Sequence, residues 1–106
     1  MSRLTEVLDR LAATIEARRG ADPASSWTAK LLADPTLAAK KLGEEAIEAV
    51  LAAALKDGDA LAAESADVLY HLLALLAASG VSLDEVAVKL EAREGRSGVD
   101  EKASRS

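Results

Sequence analysis

Five carboxylates at helical spacing are the residues of this chain best placed to do chemistry: Glu44, Glu45 and Glu48 in one stretch, Glu64 and Asp67 in the next. At about 100° of rotation per residue, Glu45 and Glu48 project about 60° apart and Glu44 lies about 40° from Glu48, so all three share one sector of a helix. Glu64 and Asp67 repeat the i, i+3 spacing. If the turn around Lys56 to Asp59 folds one helix back antiparallel on the other, two acidic pairs face each other. Four or five carboxylates in that space repel unless counter-ions intervene. All-oxygen ligation suits Mg²⁺ or Mn²⁺, whereas zinc prefers His and Cys.

The competing reading is a solvated acidic face, with Lys40–Glu44 and Lys41–Glu45 as i, i+4 pairs worth about 0.2–0.5 kcal/mol each, less in this Lys-first orientation. The second acidic pair weighs against it. Asp67 is followed by Val68, Leu69, Leu72 and Leu73, and a carboxylate drawn into apolar surroundings needs a metal or a proton as partner.

The elements that must position these acids are helical. The chain has 106 residues, half of them hydrophobic, with no Phe and only one Trp and one Tyr, so Leu and Ala carry the core of a single domain spanning 1–106. A fold class of all-α follows, a bundle of about five helices. The absence of Cys excludes disulfides and thiol chemistry and fits a cytoplasmic location. A net charge of −5 argues against nucleic acid and anionic membranes as partners, though a metal-neutralised site still accepts a phosphorylated ligand. The polar start lacks the apolar run of a signal peptide, and Val68 to Ala78 is too short to span a bilayer.

The spacing of Leu4, Val7, Leu8, Leu11, Ala12 and Ile15 predicts a first helix from about Leu4 to Arg18. Ser25 or Ser26 caps a short second helix through about Leu32. Asp34 followed by Pro35 starts the third, which carries Glu44, Glu45 and Glu48. Lys56, Asp57, Gly58 and Asp59 form a turn, and the fourth helix runs to about Ser79 with Gly80 as its stop. Ser82 and Glu85 make a capping box for a fifth, to about Arg93. The remainder, 94–106, reads as a flexible polar tail. A fourth helix apolar on nearly every face reads as buried on most sides and predicts packing against a second copy, hence a homodimer.

With the motifs placed, Glu44-Glu45-Ala46-Ile47-Glu48 and Glu64-Ser65-Ala66-Asp67 resemble the EExxE and ExxD signature of the MazG-like all-α nucleoside triphosphate pyrophosphatases. Four stretches narrow the resemblance to the phosphoribosyl-ATP pyrophosphatase family: Ser26-Trp27-Thr28-Ala29-Lys30-Leu31-Leu32, Lys40-Lys41-Leu42-Gly43-Glu44-Glu45-Ala46, Ala66-Asp67-Val68-Leu69-Tyr70-His71-Leu72-Leu73, and the tail Ser97 to Arg105. The Ser26 to Lys30 entry and the Glu101-Lys102-Ala103-Ser104-Arg105 run are the most particular. The departures, Trp27 for an expected Tyr and Val99-Asp100 for Ile-Glu, keep the chemical character.

The resemblance implies a MazG-like bundle that hydrolyses phosphoribosyl-ATP to phosphoribosyl-AMP and pyrophosphate, the second step of histidine biosynthesis, by attack of a metal-activated water at the α-β phosphoanhydride. It implies Glu45, Glu48, Glu64 and Asp67 as metal ligands, with Glu44 either a further ligand or the group that orients and deprotonates the water. Ser26, Thr28, Lys30, Lys40 and Lys41 are then expected to hold the departing pyrophosphate, and Lys102, Ser104 and Arg105 to close over the phosphoribosyl or phosphate groups. His71, four residues after Asp67, either orients that ligand or is a hydrogen-bonded core residue; Trp27 either stacks on adenine or packs. A house-cleaning nucleoside triphosphate pyrophosphatase and an inert helical dimerisation module are the alternatives.

Overall fold

The computed structural model describes residues 2–95 and contains, in order, α1 (Arg3–Ala17), α2 (Trp27–Ala33), α3 (Pro35–Ala54), α4 (Gly58–Ala78) and α5 (Leu83–Glu91). No strand occurs among the described residues, so the all-α expectation holds.

Each helix starts where a short polar side chain can take up a free backbone N–H. Ser26 Oγ accepts from Ala29 N at 3.1 Å, Asp34 Oδ1 from Leu37 N at 3.1 Å, and Asp57 Oδ1 from Ala60 N at 3.0 Å. Of the two serines offered for α2, Ser26 is the cap. Pro35 occupies the first turn of α3, where its missing N–H costs nothing. The Ser82–Glu85 capping box closes in both directions, at 3.1 and 2.7 Å. α5 ends two residues short of the expected Arg93.

The α3–α4 connection is tighter than the sequence suggests. Gly58 and Asp59 belong to α4, and Asp57 serves as its cap. Lys56 takes the left-handed conformation at φ 57°. Lys56 N donates to Ala53 O and Asp57 N to Ala52 O, both at 3.1 Å, which is the Schellman ending of α3 with lysine where glycine is usual. α4 ends the same way around Gly80, at φ 73°, with Val81 N donating to Leu76 O at 2.9 Å.

α3 and α4 form the central hairpin, and α1 and α2 pack on α4. The core lies where α2 crosses the hairpin: Leu31, Ala38 and Ala74 are fully buried, with Leu37, Tyr70 and Leu75 packed on them. Alanines at 38 and 74 let the two long helices approach closely there, and Ile15 buries the C-terminal half of α1. The N-terminal half projects, with Leu4 and Val7 exposed.

One expectation needs correction. α4 is not buried on most sides within a single chain: only His71 and Ala74 are fully covered and Leu72 is exposed. By length and composition α4 could also cross a membrane, although here α1, α2 and α3 pack against it. The hairpin has too few neighbours to cover it, and Ile47, Val50, Leu51 and Leu55 of α3 face outward as well, Leu55 at 79 % exposure.

Candidate active site

Folding α3 against α4 brings Glu45, Glu48 and Glu64 together, with one oxygen from each carboxylate within 4.8 Å of the others. The cause is the register of the hairpin. Glu48 and Glu64 stand at one level, and one turn toward α2 Glu45 and Asp67 stand at the next.

Glu64 is the pivot. Its Oε2 is buried and has no hydrogen-bond partner among the described residues. Ionised carboxylates only accept, so Glu48 and Glu45 cannot satisfy it unless a proton or a cation lies between them. The nearness of the Glu48 carboxylate, with which only a proton could be shared, then loss of surrounding water, then the same crowding by Glu45 and the charges of both push the Glu64 carboxyl up to about 7. A group held near neutrality by crowded acids is a usual mark of a functional site. Three convergent carboxylates with an unsatisfied oxygen fit a hard divalent cation, which takes oxygen ligands and offsets their repulsion.

The remaining expected residues fall into three groups. Asp67 is exposed and outside the trio of oxygens; it projects about 60° from Glu64 and is shorter by one methylene. Glu44 pairs with Lys41, whose Nζ lies 3.2 Å from Oε2, so the ion pair runs i, i+3 and neither anticipated i, i+4 pair forms among the described residues. Lys40 is exposed. Ser26 uses an Oγ lone pair as the α2 cap, and its hydroxyl hydrogen has no acceptor among the described residues. Thr28 Oγ1 is hydrogen-bonded to the Tyr70 hydroxyl, at 2.5 Å. Lys102, Ser104 and Arg105 lie outside the described residues.

His71 does not touch the Asp67 carboxylate. Its Nδ1 donates to the Asp67 backbone carbonyl at 2.8 Å, so it is held as a core residue. Tyr70 carries no spacing that marks it for a role; its bond to Thr28 joins residues 42 positions apart, and no local pattern encodes such a contact. Trp27 stays 42 % exposed, with Lys30 Nζ and Lys41 Nζ each 5.8 Å from its ring centre.

A hollow of about 270 Å³ lies elsewhere, between α1 and the α4–α5 turn, lined by Ile15, Arg19, Leu76 and Leu83 among others. It sits roughly 20 Å along α4 from Glu64. Its polar groups satisfy one another: Arg19 binds Glu16 through two contacts of 2.7 and 2.9 Å and donates to the Ala77 carbonyl at 2.9 Å. The acidic cluster, with its unsatisfied oxygen, is therefore the candidate site.

Residues 8–94 match the family model described as phosphoribosyl-ATP pyrophosphohydrolase. The chain belongs to that family. Among curated relatives of this pyrophosphohydrolase family, the protein named phosphoribosyl-ATP pyrophosphatase from Caulobacter vibrioides is 75 % identical over 104 residues, covering 98 % of this chain and 97 % of the relative. One of the same name from another Caulobacter species is 70 % identical over 105 residues, covering 99 % and 98 %. A third, from Cereibacter sphaeroides, is 63 % identical over 100 residues, covering 93 % and 97 %.

Proposed function

We propose that this chain hydrolyses phosphoribosyl-ATP to phosphoribosyl-AMP and pyrophosphate, the second step of histidine biosynthesis. The single observation that carries the reading is the convergence of Glu45, Glu48 and Glu64 around a buried, unpartnered carboxylate oxygen. Membership of the family and near full-length similarity to proteins of that name support the choice of substrate.

Glu45, Glu48 and Glu64 would hold Mg²⁺ or Mn²⁺, and Asp67, one turn from Glu64, would complete the set from the open side. Bound there, such a cation supplies charge neutralisation on the phosphate oxygens and acidifies a water nucleophile. The protein's own contribution is to fix these oxygens before substrate arrives, on two helices whose spacing is set by Ala38 and Ala74. Glu44 serves as a further ligand or as the group that orients and deprotonates the attacking water, released from Lys41 for that purpose. Lys41, Lys30 and Lys40 then turn to the departing pyrophosphate, and the hydroxyls of Ser26 and Thr28 donate to it. From the resemblance of the tail sequence, Lys102, Ser104 and Arg105 are assigned to the substrate's phosphoribosyl or phosphate groups.

We further propose that the working form is a cytoplasmic homodimer. A single chain leaves Ile47, Val50, Leu51 and Leu55 of α3 largely in water, on the same helix as the acids, and a second copy offers the matching apolar surface.

Product analysis tests the reaction. The expected pair after incubation with Mg²⁺ is phosphoribosyl-AMP and pyrophosphate. Phosphoribosyl-ADP and orthophosphate instead would mean cleavage at the other anhydride and would overturn the assignment.

A further inference from the structure

The hydroxyls of Thr28 and Tyr70 pair with each other across α2 and α4, 2.5 Å apart, and neither has another hydrogen-bond partner among the described residues. Each hydroxyl carries one proton and two lone pairs. The pair therefore shares one proton and leaves the other unspent. Which residue keeps the unspent proton decides what the pair can do.

A phenol oxygen gives part of its lone-pair density to the ring, so it donates better and accepts worse than an aliphatic hydroxyl. Tyr70 is then the donor and Thr28 the acceptor. The tyrosine ring is also the fixed partner. It packs edge-on against the His71 imidazole, with centres 4.9 Å apart and planes at 84°, and rests on the buried group Leu31, Ala38 and Ala74. The imidazole is in turn held by the Asp67 carbonyl. With one lone pair of Thr28 Oγ1 taken from a fixed direction, the threonine hydroxyl is restricted in rotation and its own hydrogen points away from Tyr70.

The pair borders the acidic cluster. Tyr70 follows Asp67 by three residues, less than one turn and about 4.5 Å along α4. Trp27, next to Thr28 in the chain, has Lys41 Nζ 5.8 Å from its ring centre, and the same ammonium lies 3.2 Å from Glu44 Oε2. The first turn of α2 therefore stands beside both Glu44 and Asp67. Thr28 is only half-buried, which leaves it within reach of an anion arriving at the cluster.

We propose that Tyr70 is a positioning residue for the leaving group: by donating to Thr28 Oγ1 it holds the Thr28 hydroxyl as a donor to a pyrophosphate oxygen. This rests on the pyrophosphohydrolase reading above, which assigns Thr28 to the pyrophosphate and gives Tyr70 no part. Tyr70 itself does not touch the substrate. Without its hydroxyl, Thr28 keeps a donor but loses the donor's direction, and a free rotor binds more weakly because it must be ordered as the ligand arrives.

Calorimetric titration of the full chain with pyrophosphate and, separately, with phosphoribosyl-AMP, both in Mg²⁺, tests this. Tyr70→Phe keeps the ring and its packing, and Thr28→Val keeps the shape of the threonine. The expected result is that Thr28→Val weakens pyrophosphate binding about tenfold. Tyr70→Phe weakens it about threefold or more, and both variants hold phosphoribosyl-AMP within about twofold of wild type. The double variant matches Thr28→Val, since Tyr70 acts only through that hydroxyl, and Thr28→Ser, which keeps the hydroxyl, recovers most of the loss. Should Thr28→Val fail to fold by circular dichroism, Thr28→Ala takes its place. A bond that merely braces α2 on α4 gives a different pattern: Tyr70→Phe weakens both ligands alike, or its loss adds to that of Thr28→Val. Either result overturns the proposal, as does unchanged pyrophosphate affinity in Tyr70→Phe or in Thr28→Val. Absence of pyrophosphate release from the wild type strikes the reaction assignment instead, and the titrations still decide the role of Tyr70 on their own.

Discussion

Glu48 on α3 and Glu64 on α4 place carboxylate oxygens within 4.8 Å of each other across the helical hairpin, and the crowding falls mainly on Glu64. Its carboxyl is pushed up to about 7 from an ordinary value of 4.5, first by the nearness of the Glu48 carboxylate, with which it could share only a proton. The protein is thus assembled around a repulsion that either a proton or a cation can relieve.

A pH dependence follows, with a definite sign. The folded-state pKa of Glu64 lies above its unfolded value, so the stability it contributes is fully present below about 4.5 and is lost as pH rises through about 7. In chelator, the thermal midpoint should fall between pH 5 and 8, and Glu64→Gln should remove most of that slope. Mg²⁺ should restore the wild-type midpoint at pH 8, since it replaces the proton. Melting curves followed by circular dichroism check this; a flat wild-type profile in chelator would count against it.

Glu48→Ala separates function from folding. Glu48 is exposed, so its truncation should shift stability by no more than about 0.5 kcal/mol, and in chelator the variant should be as stable as wild type or more so, one repelling charge being gone. Turnover of phosphoribosyl-ATP should fall by about a hundredfold or more. A variant that keeps its activity would remove Glu48 from the site.

Much of this was legible in the sequence where the chemistry is local. Asp34-Pro35 and Ser82 with Glu85 announce their helix starts because a cap needs only its own next three residues. The acidic trio is nearly so, since Glu45 and Glu48 share a sector by spacing alone. Features that depend on how two helices register were not legible. Asp67 falls outside the trio, Thr28 finds Tyr70, and His71 chooses the Asp67 carbonyl over its carboxylate. The α3–α4 turn is tighter than its composition suggests for a related reason: lysine at position 56 adopts a conformation that its residue type does not advertise.

That lysine gives a prediction about folding alone. A side chain in the left-handed region costs about 1–2 kcal/mol, part of which glycine gives back through its freer unfolded chain. Lys56→Gly should therefore raise stability by about 0.5–1 kcal/mol without altering KM, as read from denaturant melts. Destabilisation would mean that the α3–α4 turn is held by the lysine side chain and not by its backbone.

The homodimer is tested by Leu51→Glu. In an isolated chain Leu51 is exposed, so the substitution should leave the helical content intact. If α3 is the mating surface, a buried unpaired carboxylate opposes association, and sedimentation should show wild type at twice the monomer mass and the variant at the monomer mass. Wild-type protein at the monomer mass at micromolar concentration would contradict the dimer.

The most direct measurement is pyrophosphate release from phosphoribosyl-ATP with and without Mg²⁺, run beside ATP and a panel of deoxynucleoside triphosphates. The expected result is release that requires the metal and is confined to phosphoribosyl-ATP. Release from the ordinary triphosphates instead, or from none of them, would contradict the assignment.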